Sequence, residues 1–251
     1  MRFMSLTCVA AFSLISIQAN AAFLGSAQAF GVLAGSTVTN TGPTTISGSV
    51  GVWPGTAITG FYPPGTITNG SFYAGNAVAQ QAQADSLTAF NALASMAPTT
   101  ILTGINLGGL TLTPGVYFFA SSAFLTGTLT LDAQGDPDAL FVFQTVSTLI
   151  SASNSSVLTI NGADDCNVYW KVGSSATLGT DSAFQGNIIA DASITMNTRA
   201  SLIGGRALAL NGAVTLDSNI IEAGCLETIP APATATLALL TFGTAGLRRR
   251  R

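Results

Sequence analysis

Ala176-Thr-Leu-Gly-Thr180, Ile194-Thr-Met-Asn-Thr198 and Val214-Thr-Leu-Asp-Ser218 are three copies of one five-residue phrase, and their spacing decides the fold. Successive central threonines, Thr177, Thr195 and Thr215, lie 18 and 20 residues apart, a period that fits one turn of a β-solenoid. Alternate residues of a strand point to opposite faces. Leu178, Met196 and Leu216 therefore read inward, and the residues flanking them, Thr177 and Gly179, Thr195 and Asn197, Thr215 and Asp217, read outward. Further round each turn, Phe184 matches Leu202 as a core residue and Gly186 matches Gly204 as a tight corner.

The same texture extends upstream. In Leu125-Thr-Gly-Thr-Leu-Thr-Leu131 the leucines read inward and the threonines outward. Leu140-Phe-Val-Phe-Gln144 and Val168-Tyr-Trp-Lys-Val172 are denser apolar strands, and Val157-Leu-Thr-Ile160 stops at the turn signal Asn161-Gly162. Val38, Ile46, Val50 and Ile58, spaced among Thr, Ser and Gly, belong to the same core. Tyr73 to Ala97 breaks the pattern: it lacks Pro and carries Ala79, Ala82, Ser86, Phe90, Leu93 and Ala97 at spacings of three or four. That is one apolar stripe of a helix laid against a flank of the solenoid. The expected fold is an all-β solenoid with one long α-helix packed alongside.

Both ends differ from this body. Arg2, an apolar run from Leu6 to Ile17 and the small-x-small triplet Ala19-Asn20-Ala21 form an expected signal peptide, 1–21, with export as the consequence. Cys8 falls inside it, so the mature chain keeps Cys166 and Cys225, which an exported protein can join as a disulfide. Two buried thiols are the alternative. After the expected body, 22–228, Pro230-Ala-Pro-Ala-Thr234 leads into an apolar run closed by Arg248 to Arg251, so that 229–251 reads as a sorting or anchoring segment in contact with a membrane.

Charge and chemistry narrow the function. Between Ala22 and Ile229 only Lys171, Arg199 and Arg206 are basic, against all eleven acids of the chain. Nucleic acid is a poor partner for such a surface, because phosphate binding needs clustered Lys and Arg. Histidine is absent, which removes the commonest general base and zinc ligand and any Ser-His-Asp or Cys-His arrangement. Asp136 and Asp138 flank Pro137, and Asp164 and Asp165 fall in another turn, so both pairs read as solvated loop acids and not as the paired carboxylates of a glycosidase. No catalytic residue, metal ligand or cofactor is expected.

The run Gly127 to Gln144 (GTLTLDAQGDPDALFVFQ), Cys166 to Thr180 (CNVYWKVGSSATLGT), Gly186-Asn-Ile-Ile-Ala190, Gly205-Arg-Ala-Leu-Ala209 and Asn211-Gly-Ala-Val-Thr-Leu216 resembles the microbial ice-binding (antifreeze) protein family over roughly Ala22 to Cys225. The resemblance implies a right-handed β-helix of triangular section whose coils are discontinuous in sequence. It implies adsorption to ice through a flat solenoid face, with inhibition of ice growth and recrystallisation and no turnover of substrate. Gly179, Asn197 and Asp217 stand where an unbroken second Thr row would run. The tail resembles PEP-CTERM sorting signals of Gram-negative bacteria, with Ala231 in place of the motif's Glu, which implies a sorting enzyme as partner and a cell-surface location.

Physical chemistry points the same way. Neighbouring coils lie about 4.7–4.9 Å apart and alternate residues of one strand about 6.6 Å apart, the length scale of a water lattice. Thr offers a methyl and a hydroxyl on a side chain stiff at χ1. The expected ice-binding residues are Thr177, Thr180, Thr195, Asn197, Thr198, Thr215, Asp217 and Ser218, extended by Thr148, Thr37 and Thr39, on a monomer. The competing readings are a cell-surface adhesin or polysaccharide-binding module, and a β-helix polysaccharide lyase, which the three basic residues of the body disfavour.

Overall fold

The period-two alternation becomes three parallel sheets wrapped round one core. The computed structural model describes residues 23–224; the expected signal peptide, Cys225 and the 229–251 tail lie outside the described residues. Strands are short because every coil must bend at each corner, and these described residues form sheets of nine, seven and eight strands.

The order of coils does not follow the sequence. Along the first sheet the strands run Phe72–Ala74, Ser49–Val52, Phe30–Ala34, Ala207–Ala209, Asn187–Ala190, Val168–Val172, Phe141–Thr145, Gly115–Phe119 and Thr100–Ile101. The chain thus starts inside the solenoid and builds two coils and a further strand toward one end. Helix α1, Ala77–Ser95, carries it back along the first sheet, and the remaining coils grow from the far end until the coil of Ala207–Ala209 docks on that of Phe30–Ala34. Nineteen residues of helix reach about 28 Å, most of the length of the sheet it covers.

Inside, Val38, Ile46, Val50, Leu129, Leu131, Leu178, Phe184, Leu202 and Leu216 are fully buried, as the alternation requires. Tyr117, Phe143 and Trp170 stack along the axis with ring centroids 5.3 and 4.0 Å apart. Gly127 (φ 93°) turns the run Leu125 to Leu131 through a corner, so it is two strands on two sheets, Ala123–Leu125 and Thr128–Asp132, where the sequence read as one. Gly186 and Gly204 take positive φ at matching corners.

The helix, Ala77–Ser95, is shorter at both ends than the expected Tyr73 to Ala97. Phe72–Ala74 is a strand of the first sheet, and Asn76 caps α1 by accepting from the Ala79 amide at 3.1 Å. Ala79, Ala82, Ser86 and Leu93 are buried as expected, joined by Gln83 and Ala89. Phe90 is only half-buried, beneath the Lys171 ammonium 4.5 Å from its ring centre, and Ala97 is exposed beyond the helix end. The stripe rests on Leu33, Val142, Ile189 and Leu208 of the first sheet. With the first sheet covered, the other two faces are left to solvent.

Candidate functional site

The second sheet gathers the threonines. Its strands are ordered Ala123–Leu125, Leu149–Ser151, Ala176–Leu178, Ile194–Met196, Val214–Asp217, Thr37–Thr41 and Ala57–Thr59. Register places Thr177 beside Thr195, Thr195 beside Thr215, Thr215 beside Thr39 and Thr39 beside Thr59. Thr177, Thr195, Thr215 and Thr39 each point out between buried neighbours, such as Ile194 and Met196 around Thr195, and Thr59 at the end of the row lies between the partly buried Ile58 and Gly60. At the spacing of adjacent strands these five threonines span about 19 Å. Thr39 donates through Oγ1 to Thr215 Oγ1 at 3.5 Å, across the junction of the first and last coils.

Thr148 and Thr37 stand on one rim of this row. The carbonyls of Thr148, Ser175, Ser193 and Ala213 accept in turn from Ala123, Leu149, Ala176 and Ile194, so these residues stack in one column and Thr148 is separated from Thr37 by three smaller residues. Thr148 Oγ1 donates to Ser122 Oγ at 2.8 Å. The hydroxyls of Ser175 and Ser193 accept from the amides of Ser193 and Ala213. This rim ties coils together and is not a second threonine row.

On the other rim the sequence register fails at one point. Thr198 was expected to match Ser218, but the last corner is a residue shorter: five steps separate inward Leu216 from inward Ile221, against six from Met196 to Leu202. The Arg199 amide donates to the Asp217 carbonyl and the Ser218 amide to that of Thr41. Ser218 (φ 57°) accordingly shares the left-handed corner of Arg199 (φ 59°), and Thr198 stands beside Asp217. The Thr198 hydroxyl donates to the Asp217 carboxylate and Ser218 Oγ adds a bond of 3.1 Å; these bonds hold the Asp217 carboxyl below its ordinary range, Thr198 contributing most. Thr180 is half-buried in the same column and Asn197 is exposed. Gly179 is buried, with the Ala152 carbonyl carbon 2.4 Å from where a Cβ would sit, so the gap in the second row is imposed by a backbone approach. Asp181 and Arg199 form an exposed ion pair of 2.7 Å along this rim.

Thr59 and Thr41 were missed. Thr41 pairs with Asp217 and is exposed. The signal for Thr59 was present: Ile58-Thr59 repeats Val38-Thr39 at the same 20-residue interval that separates Thr195 from Thr215.

Residues 32–222 match the family described as Ice-binding-like. The chain belongs to that family. It is 57% identical over 220 residues to the ice-binding protein of Nostoc sp. (strain HG1), covering 86% of this chain and 81% of that protein. Ice-binding protein 1 of Shewanella frigidimarina (strain NCIMB 400) is 34% identical over 228 residues, 79% of this chain and 25% of that longer protein. Among solved structures, an ice-binding protein from an Antarctic biological consortium superposes with a TM-score of 0.76 at 50% identity, over 79% of this chain and 89% of that one. The fold of this family member is thus the triangular β-helix that the resemblance implied.

The acids set aside earlier serve local structure. Asp136 and Asp138 are exposed, with Asp136 Oδ1 accepting from the Asp138 amide at 3.0 Å. Asp164 Oδ1 accepts from the Cys166 amide at 2.9 Å. Burial pushes the Asp165 carboxyl upward, against a 2.7 Å bond donated by Thr159. Arg206 is only 1% exposed and donates at 2.9 Å to the Gln28 carbonyl, Asn187 Oδ1 and the Gly224 carbonyl. Burial lowers it to about 10, and its charge pins the seam between first and last coils and does not serve the surface.

Proposed function

We propose that this protein binds ice through the outer face of the second sheet, inhibiting ice growth and recrystallisation. The observation that carries the reading is the unbroken row Thr177, Thr195, Thr215, Thr39 and Thr59. Parallel strands space its methyls and hydroxyls evenly, β-branching restricts their rotamers, and buried side chains beneath keep the plane level. Little further entropy is then lost when water orders over the row. Asn197, Asp217 and Thr41 on one rim, and Thr148 and Thr37 on the other, extend the polar margin; Thr180, Thr198 and Ser218 support it from the corner.

The test is partition into a slowly growing ice hemisphere: the exported protein is expected to enter the ice, and exclusion from it would overturn the reading. Work at the ice surface requires export, so the signal peptide, a Cys166–Cys225 bridge and sorting of the tail to the cell surface belong to the same proposal. Gly224, the residue before Cys225, approaches Gly204, which in turn abuts Asp165 beside Cys166, and this supports the pairing. Intact mass and N-terminal sequencing of protein recovered from outside the cell are expected to show a start at Ala22, an oxidised cysteine pair and loss of the arginine cluster. A mass that retains both ends would contradict processing.

A further inference from the structure

The row of the second sheet does not end at Thr177. Ile150 is paired with Thr177, Phe124 with Ile150, and an isolated bridge continues to Asn106. Asn106 turns its Oδ1 back to the amides of Gly108 and Thr126, at 2.8 and 3.0 Å. Two apolar residues therefore follow five threonines at the same lattice step, and the two differ in a way that matters to a flat, rigid partner.

We propose that Phe124 sets the length of the ice-docking footprint, which runs from Thr59 to Ile150 and is cut off where the phenyl ring rises. The inference rests on the second sheet being the ice-binding face. Ile, like Thr, is branched at Cβ and stiff at χ1. Ile150, in register with Thr177, carries a γ-methyl as threonine does, with an ethyl group in place of the hydroxyl. Phe124 has a single substituent on Cβ, an aromatic ring several ångströms longer than a threonine side chain, and the residue is 46% exposed against 37% for Ile150. Liquid water deforms around such a ring, whereas an ice plane cannot. Ala123 and Leu125 on either side are buried, so the core beneath position 124 already matches that beneath Thr195. The obstruction resides in one side chain.

Six positions from Thr59 to Ile150 cover about 24 Å, and a seventh would lengthen the row by about a fifth. Phe124→Thr is therefore expected to raise thermal hysteresis above that of the parent at equal molar concentration. Ile150→Phe should lose activity because the footprint would then stop at Thr177. Melting temperature by circular dichroism accompanies each variant. Hysteresis at or below the parent value in a Phe124→Thr protein of unchanged melting temperature would overturn the proposal, as would parental activity in Ile150→Phe. Should Phe124→Thr melt early, Ile150→Phe decides alone. Thr215→Tyr separates the two levels: if it leaves activity intact, the face itself is wrongly assigned. If it lowers activity while Phe124→Thr brings no gain, only the footprint limit falls.

Discussion

Thr195→Tyr is the sharpest perturbation of the proposed face. Thr195 lies between Thr177 and Thr215, points outward, and is flanked by Ile194 and Met196, which are buried. A phenol placed there stands over the centre of the row without entering the core. The longest run of unobstructed threonines falls from five to three, Thr59, Thr39 and Thr215, or from about 19 Å to about 10 Å at the strand spacing. Ice activity should fall by at least half, since the plane is broken near its middle. Stability should hardly respond, because a surface substitution away from special geometry costs within about 0.5 kcal/mol. For a body of this size that moves the melting temperature by no more than about 2 °C. The assay is thermal hysteresis and recrystallisation inhibition at matched concentration, beside a thermal melt followed by circular dichroism. Full activity with an unchanged melt would refute the reasoning and move the site to the other open face, where Thr66, Thr45, Ile220 and Ser201 follow one another on the third sheet.

The remaining expectations concern the scaffold and its charge. Arg206→Met removes the donor to the buried Asn187 Oδ1 at about 1–3 kcal/mol and the bonds to the less buried Gln28 and Gly224 carbonyls at about 0.5–1.5 kcal/mol each, offset in part because a charge is no longer buried. A net loss of about 2–4 kcal/mol should lower the melting temperature by roughly 4–16 °C, and an unchanged melt would show that Arg206 does not secure the seam. With no histidine in the chain, no unperturbed side chain titrates between about pH 5 and 8, so activity and melting temperature should be flat across that range. The Asp217 carboxyl is lowered by Thr198 and Ser218 from an ordinary 3.8. Its stabilising contribution is complete above that value and is lost as pH falls through the lower folded value, which a melt series at acid pH, compared with Asp217→Asn, would detect.

The local pattern carried far toward the answer. Strand periodicity is a two-residue rule, so the inward set Leu178, Met196 and Leu216 and the outward set Thr177, Thr195 and Thr215 could be read directly from the chain. Those coils have nearly equal lengths, and their phrases superimpose. Upstream the period dissolves, because the coils containing Phe141–Thr145 and Val168–Val172 are preceded by inserted corners at 133–140 and 161–167. Corners also misled: Gly127 divides one apparent strand, and a single missing residue after Leu216 moves Ser218 out of line with Thr198. Hydrophobic alternation does not register a corner one residue shorter, since the next inward residue still reaches the core.

Residue types and their period of two determined that this chain forms stacked coils, which side chains enter the core, and that threonine dominates an outward position. Only the tertiary structure decided which coil lies beside which. Thr39 is 176 residues from Thr215 in sequence yet adjacent to it in space, because α1 returns the chain to the far end and the last coil closes on the first. Backbone hydrogen bonds between strand edges carry no sequence label. The stacking order, and with it the length of the threonine row, therefore follows from where the helix, the corner glycines and the buried Arg206 allow the edges to meet.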